Sequence, residues 1–244
     1  MPTRRACIAA IILFTAVPIL ARAAPQPRLY LTTEASAPSS MLVDGRVAGI
    51  TTDKLRDALA RAGVRYEIAL RPWQRAYMTA LRRPDACVYA TTRTPEREAL
   101  FKWVGPLDSA QWVLMGRADR KLALTSLEQA RGLRIGTYYG DARDSYLRSL
   151  GLATDAAPND LLNPQKLLQG RIDLWATSWR AGSTVLEQQG RDKRIVPVLA
   201  FRRTEVYLAC NPAVPDALVA RLNAELEAMA RDGTTQRIES AYAD

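Results

Sequence analysis

The chain has 244 residues, with 34 Lys and Arg against 25 Asp and Glu and a formal charge of +9. It contains no histidine and only three cysteines, none in a C-x-x-C pair. This removes Ser-His-Asp and Cys-His catalysis, the two-histidine zinc helix, structural zinc and thioredoxin-like redox chemistry. Neither a Walker-type loop nor G-x-G-x-x-G occurs, so the usual nucleotide cradles are absent too.

The first 23 residues, MPTRRACIAAIILFTAVPILARA, read as an export signal. Arg4 and Arg5 give the positive start, Cys7 to Leu20 the apolar run, and Ala21-Arg22-Ala23 the small residues before a cut at Ala24. The run is short for the ~30 Å of a bilayer core, and Pro18 interrupts it. Removing 23 of the 244 residues leaves 221, and losing Arg4, Arg5 and Arg22 lowers +9 to +6. The remaining charges are scattered, which argues against a nucleic-acid surface.

In the mature chain, strand-length apolar runs alternate with helical patterns. Leu29–Thr33, Val64–Leu70 and Ala86–Thr91 are predicted strands. Thr51–Ala62, capped by Thr52 and ended by Gly63, and Pro72–Arg83 are the helices between them. This β-α-β-α-β order predicts a parallel sheet. The pattern then restarts with strands at Gln111–Met115, Leu133–Thr137, Ile172–Ala176, Ile195–Leu199 and Glu205–Cys210. Helices are predicted at about 141–150, 161–168, 178–189 and 215–231. Two α/β units without a linker suggest two lobes packed across a cleft.

Residues 86–107, ACVYATTRTPEREALFKWVGPL, carry the most information. Thr94 is a plausible N-cap and Pro95 a first-turn residue, so a helix start faces the end of the third strand. Its free amides favour an anion, and Arg97 adds a planar fork suited to a carboxylate. The alternative for Arg97 is a surface ion pair with Glu96 or Glu98.

Four motifs in order resemble the periplasmic solute-binding proteins of family 3, the amino-acid-binding type. They are Thr94-Pro95-Glu96-Arg97, Trp103-Val104-Gly105-Pro106-Leu107, Gly132-Leu133-Arg134-Ile135-Gly136-Thr137 and Gly170-Arg171-Ile172-Asp173. Asn211-Pro212 before the last long helix also recurs, so the likeness covers residues 28–240. It implies a two-lobed, type 2 periplasmic-binding-protein-like α/β fold, each lobe a mixed sheet flanked by helices. Residues 24–107 and 209–244 would form the first lobe and 108–208 the second. Two crossing strands, near Leu107–Gln111 and Arg203–Val206, would act as the hinge.

The resemblance also implies the site. Arg97 would clamp a ligand carboxylate, with Tyr89, Ala90 and Thr92 at the end of the third strand contacting the ligand. Gly140-Asp141 fall where relatives use Gly-Thr to bind the carboxylate, and an aspartate would repel it; a plain helix N-cap is the other reading of Asp141. Ser178 replaces the aspartate that takes the α-ammonium, and Ser36 replaces an aromatic wall that Trp73 can supply. Asp141 or Glu34 would then hold any cationic group. Asp173 reads as structural. No metal or cofactor is implied.

Cys87 opens the third strand and Cys210 closes the strand that lies beside it in the family's sheet order. A disulfide between them and a pair of buried free thiols are both compatible with that placement.

The expected function is capture of a small carboxylate-bearing solute by a monomeric periplasmic protein, without catalysis, for an inner-membrane ABC permease or a sensor. The runner-up is an enzyme on the same fold, similar to cyclohexadienyl dehydratases, with Arg97 as clamp and Glu34 or Asp141 as proton donor.

Overall fold

A computed structural model describes residues 28–242; the export signal, with its cut before Ala24, lies outside the described residues. The chain begins with β1 (Arg28–Thr33), a small hairpin of β2 (Met41–Val43) and β3 (Arg46–Ala48), and α1 (Ile50–Arg61). Gly49, not Thr52, starts α1; the Thr52 hydroxyl is buried and meets the Tyr89 hydroxyl at 3.0 Å. Gly63 ends the helix in a left-handed conformation that suits glycine. β4 (Arg65–Leu70), α2 (Trp73–Arg82), β5 (Ala86–Thr92) and the single turn α3 (Pro95–Glu98) follow. β4, β1 and β5 pair in parallel, as the β-α-β-α-β order requires.

The next strand, β6 (Lys102–Arg117), is much longer than its predicted part. β7 (Ile135–Tyr138), α4 (Ala142–Ser149), β8 (Thr154–Ala157), α5 (Asn163–Leu168), β9 (Leu174–Ser178) and α6 (Trp179–Gln188) build the second half. The return strand β10 (Ile195–Cys210) is one continuous element where two short strands are predicted. α7 (Asp216–Arg231) and α8 (Thr234–Ser240) complete the described chain.

All the strands except the hairpin form one eight-stranded sheet, in the order β4-β1-β5-β10-β6-β9-β7-β8. The antiparallel pair β6 and β10 runs through its middle, with register shifts in three places. Each half of the sheet is covered on both faces, which gives two lobes with separate cores. Leu55 and Leu59 of α1 and Leu218 and Leu222 of α7 pack on one face of the first half, against Leu31 and Leu208. In the second half, Leu167 and Leu186 pack on one face around Trp175, and Leu147 packs on the other with Ile135. Gly136 of β7 has a packing reason: a Cβ there would lie 2.3 Å from Ile172. Asp173 is structural, accepting from the Arg134 amide at 3.0 Å and from Arg120 at 2.6 Å.

Cys87 and Cys210 are register partners on β5 and β10 and are joined by a disulfide. The bond ties the start of β5 to the end of the return strand, so the chain between them leaves the first lobe and re-enters it at one place.

Candidate functional site

A cleft of about 350 Å³ lies between the lobes. Its floor is the stretch where β6 and β10 cross, Asp108 to Trp112 paired with Arg202 to Val206. Glu34, Trp73, Ala90, Thr92 and Arg97 line it from the first lobe. Tyr138, Asp141, Arg143 and Ser178 line it from the second. Both β5 and β9 end here, which is where open α/β sheets place their ligands.

The end of β5 is shaped by a local irregularity. Against β10, the partner of Val88 is Ala209 and the partner of Thr91 is Tyr207, so β5 carries one extra residue. Ala90 absorbs it with φ +56, a left-handed conformation that is unusual outside glycine. The bulge turns the strand end toward the cleft and leaves Ala90 and Thr92 on its lining. Backbone strain of this kind is often stored at binding sites.

Arg97 is 9% exposed and leans against the Trp73 and Tyr77 rings at 5.6 and 5.2 Å. It donates to the Thr92 carbonyl at 3.2 Å and to the Gly140 carbonyl of the second lobe at 2.9 Å. The Trp73 indole donates to the same Gly140 carbonyl at 2.7 Å. The alternative of an ion pair with Glu96 or Glu98 does not form; Arg93 takes the Glu98 carboxylate at 2.7 Å. No ion pair is made by Arg97 among the described residues, and its hydrogen bonds go only to neutral carbonyls. α3 is one turn and Thr94 makes no side-chain cap, so the helix-start argument for anion binding falls and the arginine remains.

The second wall is organised differently. Asp141 caps α4 by accepting from the Arg143 amide at 3.0 Å, and it also takes Arg143 Nε at 2.8 Å. Both side chains are buried, so this is an enclosed ion pair. The Tyr138 hydroxyl donates to Glu34 Oε1 at 2.6 Å, a third hydrogen bond across the cleft. Burial pushes the Glu34 carboxyl up to about 8; the Tyr138 bond opposes the rise and the Asp160 and Asp141 carboxylates add to it. Burial also raises the Asp141 carboxyl, with Arg143 opposing. Beyond the Glu34–Tyr138 bond, the gap continues as a recess of about 780 Å³ bordered by Leu42 and Leu161.

Of the residues expected at the site, Glu34, Trp73, Ala90, Thr92, Arg97, Asp141 and Ser178 come together on the cleft. Tyr89 does not. Its side chain points to the opposite face of β5, is fully buried among Leu55, Leu59 and Leu208, and bonds Thr52. Asp141 and Glu34 are not free carboxylates for a ligand cation, since Arg143 and Tyr138 already hold them. Sequence reasoning missed Tyr138, Arg143, Arg180 and Arg203, all on the lining. Tyr138 ends a strand one step before a glycine turn, a signal open to reading. Arg143 looks like an ordinary first-turn residue and carried none.

The whole domain matches the family model of the bacterial extracellular solute-binding proteins, family 3, over residues 29–244. No curated protein matches the chain in sequence. Among solved structures, a histidine kinase sensor domain with similarity to periplasmic binding proteins superposes with a TM-score of 0.81 at 17% identity, covering 89% of this chain and 96% of that one. An ancestral arginine-binding protein bound to arginine gives 0.78 at 20% identity, covering 90% and 99%. The arginine-, lysine-, histidine-binding protein ArtJ from Geobacillus stearothermophilus gives 0.78 at 16%, covering 88% and 94%. Similarity at this level shows the fold, and the family match carries the classification: the chain belongs to the bacterial extracellular solute-binding proteins, family 3.

Proposed function

We propose that the protein captures a small carboxylate-bearing solute, an amino acid or a related acid, between its two lobes and hands it to an inner-membrane ABC permease. One observation carries this reading. Arg97 presents a guanidinium to the cleft with only carbonyl partners, so a ligand carboxylate is a better acceptor than anything now bonded to it. The reading includes export to the periplasm with cleavage before Ala24. It also takes residues 24–107 with 209–244 as one lobe and 108–208 as the other, moving about the crossing of β6 and β10. The bonds from Trp73 and Arg97 to Gly140, and from Tyr138 to Glu34, would open to admit the solute and re-form or be replaced as the lobes close over it. Isothermal titration of the mature chain against L-α-amino acids and simple carboxylates tests it. At least one carboxylate should bind wild type and fail to bind Arg97→Gln; equal binding of the same solutes by both proteins contradicts the clamp.

A second reading rests on Glu34. A carboxyl that keeps its proton to about pH 8 in a cleft can act as a general acid. Incubation with prephenate, followed by absorbance of the aromatic product, separates the two: turnover supports an enzyme, and none leaves the binding role.

A further inference from the structure

Four arginines border the cleft, and they differ in what holds them. Arg143 is paired with Asp141 at 2.8 Å, and Arg180 with Asp108 at 2.7 Å. Each pair neutralises itself. Arg97 bonds only carbonyls. Arg203 is exposed on the floor, on the stretch of β10 paired with Gln111, and forms no ion pair among the described residues. Glu34 is the one acid on the lining without an arginine; its carboxyl faces the Tyr138 hydroxyl, and burial keeps it protonated at neutral pH. Two guanidinium charges therefore look into the cleft uncompensated, and no carboxylate does. Ser178, at the end of β9, adds only a neutral hydroxyl to the lining.

Arg97 is enclosed, and an enclosed charge needs an opposite charge beside it, while the exposed Arg203 adds positive potential at the floor. An ammonium brought into this cleft would meet two unpaired cations, while an anion would meet its complement. We infer that the solute is a dianion without an ammonium group, one acidic group held by Arg97 and the second directed to Arg203. The inference rests on the capture reading above and narrows it from amino acids to dicarboxylate-like acids. The structural neighbours named for arginine hold a cationic amino acid, whereas the open charge of this cleft runs the other way.

The test is titration of the mature chain with α,ω-dicarboxylates of graded length from succinate to azelate, the matching monocarboxylates, and L-arginine, L-glutamine and L-glutamate. At least one dicarboxylate should bind about tenfold or more tighter than its monocarboxylate, the increment of one charge-assisted contact. In Arg203→Gln that ratio should collapse toward one. If an α-amino acid binds more tightly than every dicarboxylate, or the ratio is one in wild type, the dianion inference is overturned while carboxylate capture stands. If the ratio survives Arg203→Gln, the second contact is wrongly assigned. If no carboxylate of any class binds either wild type or Arg97→Gln, the capture reading fails and this inference fails with it.

Discussion

The two walls of the cleft handle charge in opposite ways. The second-lobe wall closes its own circuit: Asp141 caps α4 and holds Arg143, and both are buried. The first-lobe wall leaves its circuit open, with Arg97 buried against Trp73 and Tyr77 and bonded only to carbonyls. The pair in the second wall is neutralised within the fold, and the lone guanidinium in the first is capacity left for something outside it.

The largest expected effect tests that difference directly. Asp141→Ala should strip the buried Arg143 of its partner and lower unfolding free energy by about 3–5 kcal/mol in urea titrations. Arg97→Gln, whose partners are neutral, should lower it by about 1–2 kcal/mol. Equal losses would erase the distinction between the walls.

The next effect belongs to the first wall's anchorage. The disulfide spans 123 residues and fixes the base of β5, whose other end carries Ala90 and Thr92. Reduction should cost about 2–4 kcal/mol. Thiol titration of the denatured, unreduced mature protein should find no reactive thiol; two would show that the link does not form.

Smaller effects lie at the contacts between the walls. Gly140 has φ +76, and a Cβ there would sit 3.3 Å from Trp73 Cδ1. Gly140→Ala should cost about 1 kcal/mol from the left-handed backbone and loosen the closed arrangement, seen as a larger radius of gyration in X-ray scattering. An unchanged radius would mean that the Gly140 contact does not hold the walls together.

The last effect is on pH. With the walls in contact, the Glu34 carboxyl sits at about 8; once parted and hydrated, it returns toward the ordinary 4.5. Closing therefore takes up a proton. The contribution to closure is complete below the open-state value and fades as pH rises through about 8. Scattering of the ligand-free protein should show a more compact form at pH 5 than at pH 8.5, and Glu34→Gln should flatten the difference. A radius that is constant in wild type would remove Glu34 from the closing equilibrium.

The elements were readable where hydrophobic period and punctuation agreed, as for β1, α1, β4, α2 and β5. They were unreadable where pairing rather than propensity makes the strand. β8, with the sequence Thr-Asp-Ala-Ala, exists because β7 lies parallel beside it. β6 and β10 run through Gly105, Pro106 and Pro197, residues that break a strand locally but are tolerated in a bulged pair with register shifts. The same division holds at the site. Arg97, Ala90 and Thr92 lie in one continuous segment whose motif could be read. Arg143 and Arg203 reach the cleft only through tertiary packing. Tyr89 was misplaced because its expected role came from the family likeness; β5 keeps its alternation through Tyr89, whose ring joins Cys87 in the core under α1 and α7 while Val88 faces the other side.

The most direct test of the account is native mass spectrometry of the exported, mature protein isolated with whatever it holds. Wild type should carry one carboxylate-bearing solute per chain, and Arg97→Gln, folded by circular dichroism, should carry none. The same solute retained by both proteins, or a solute without a carboxylate on wild type, would contradict a cleft built around the open charge of Arg97.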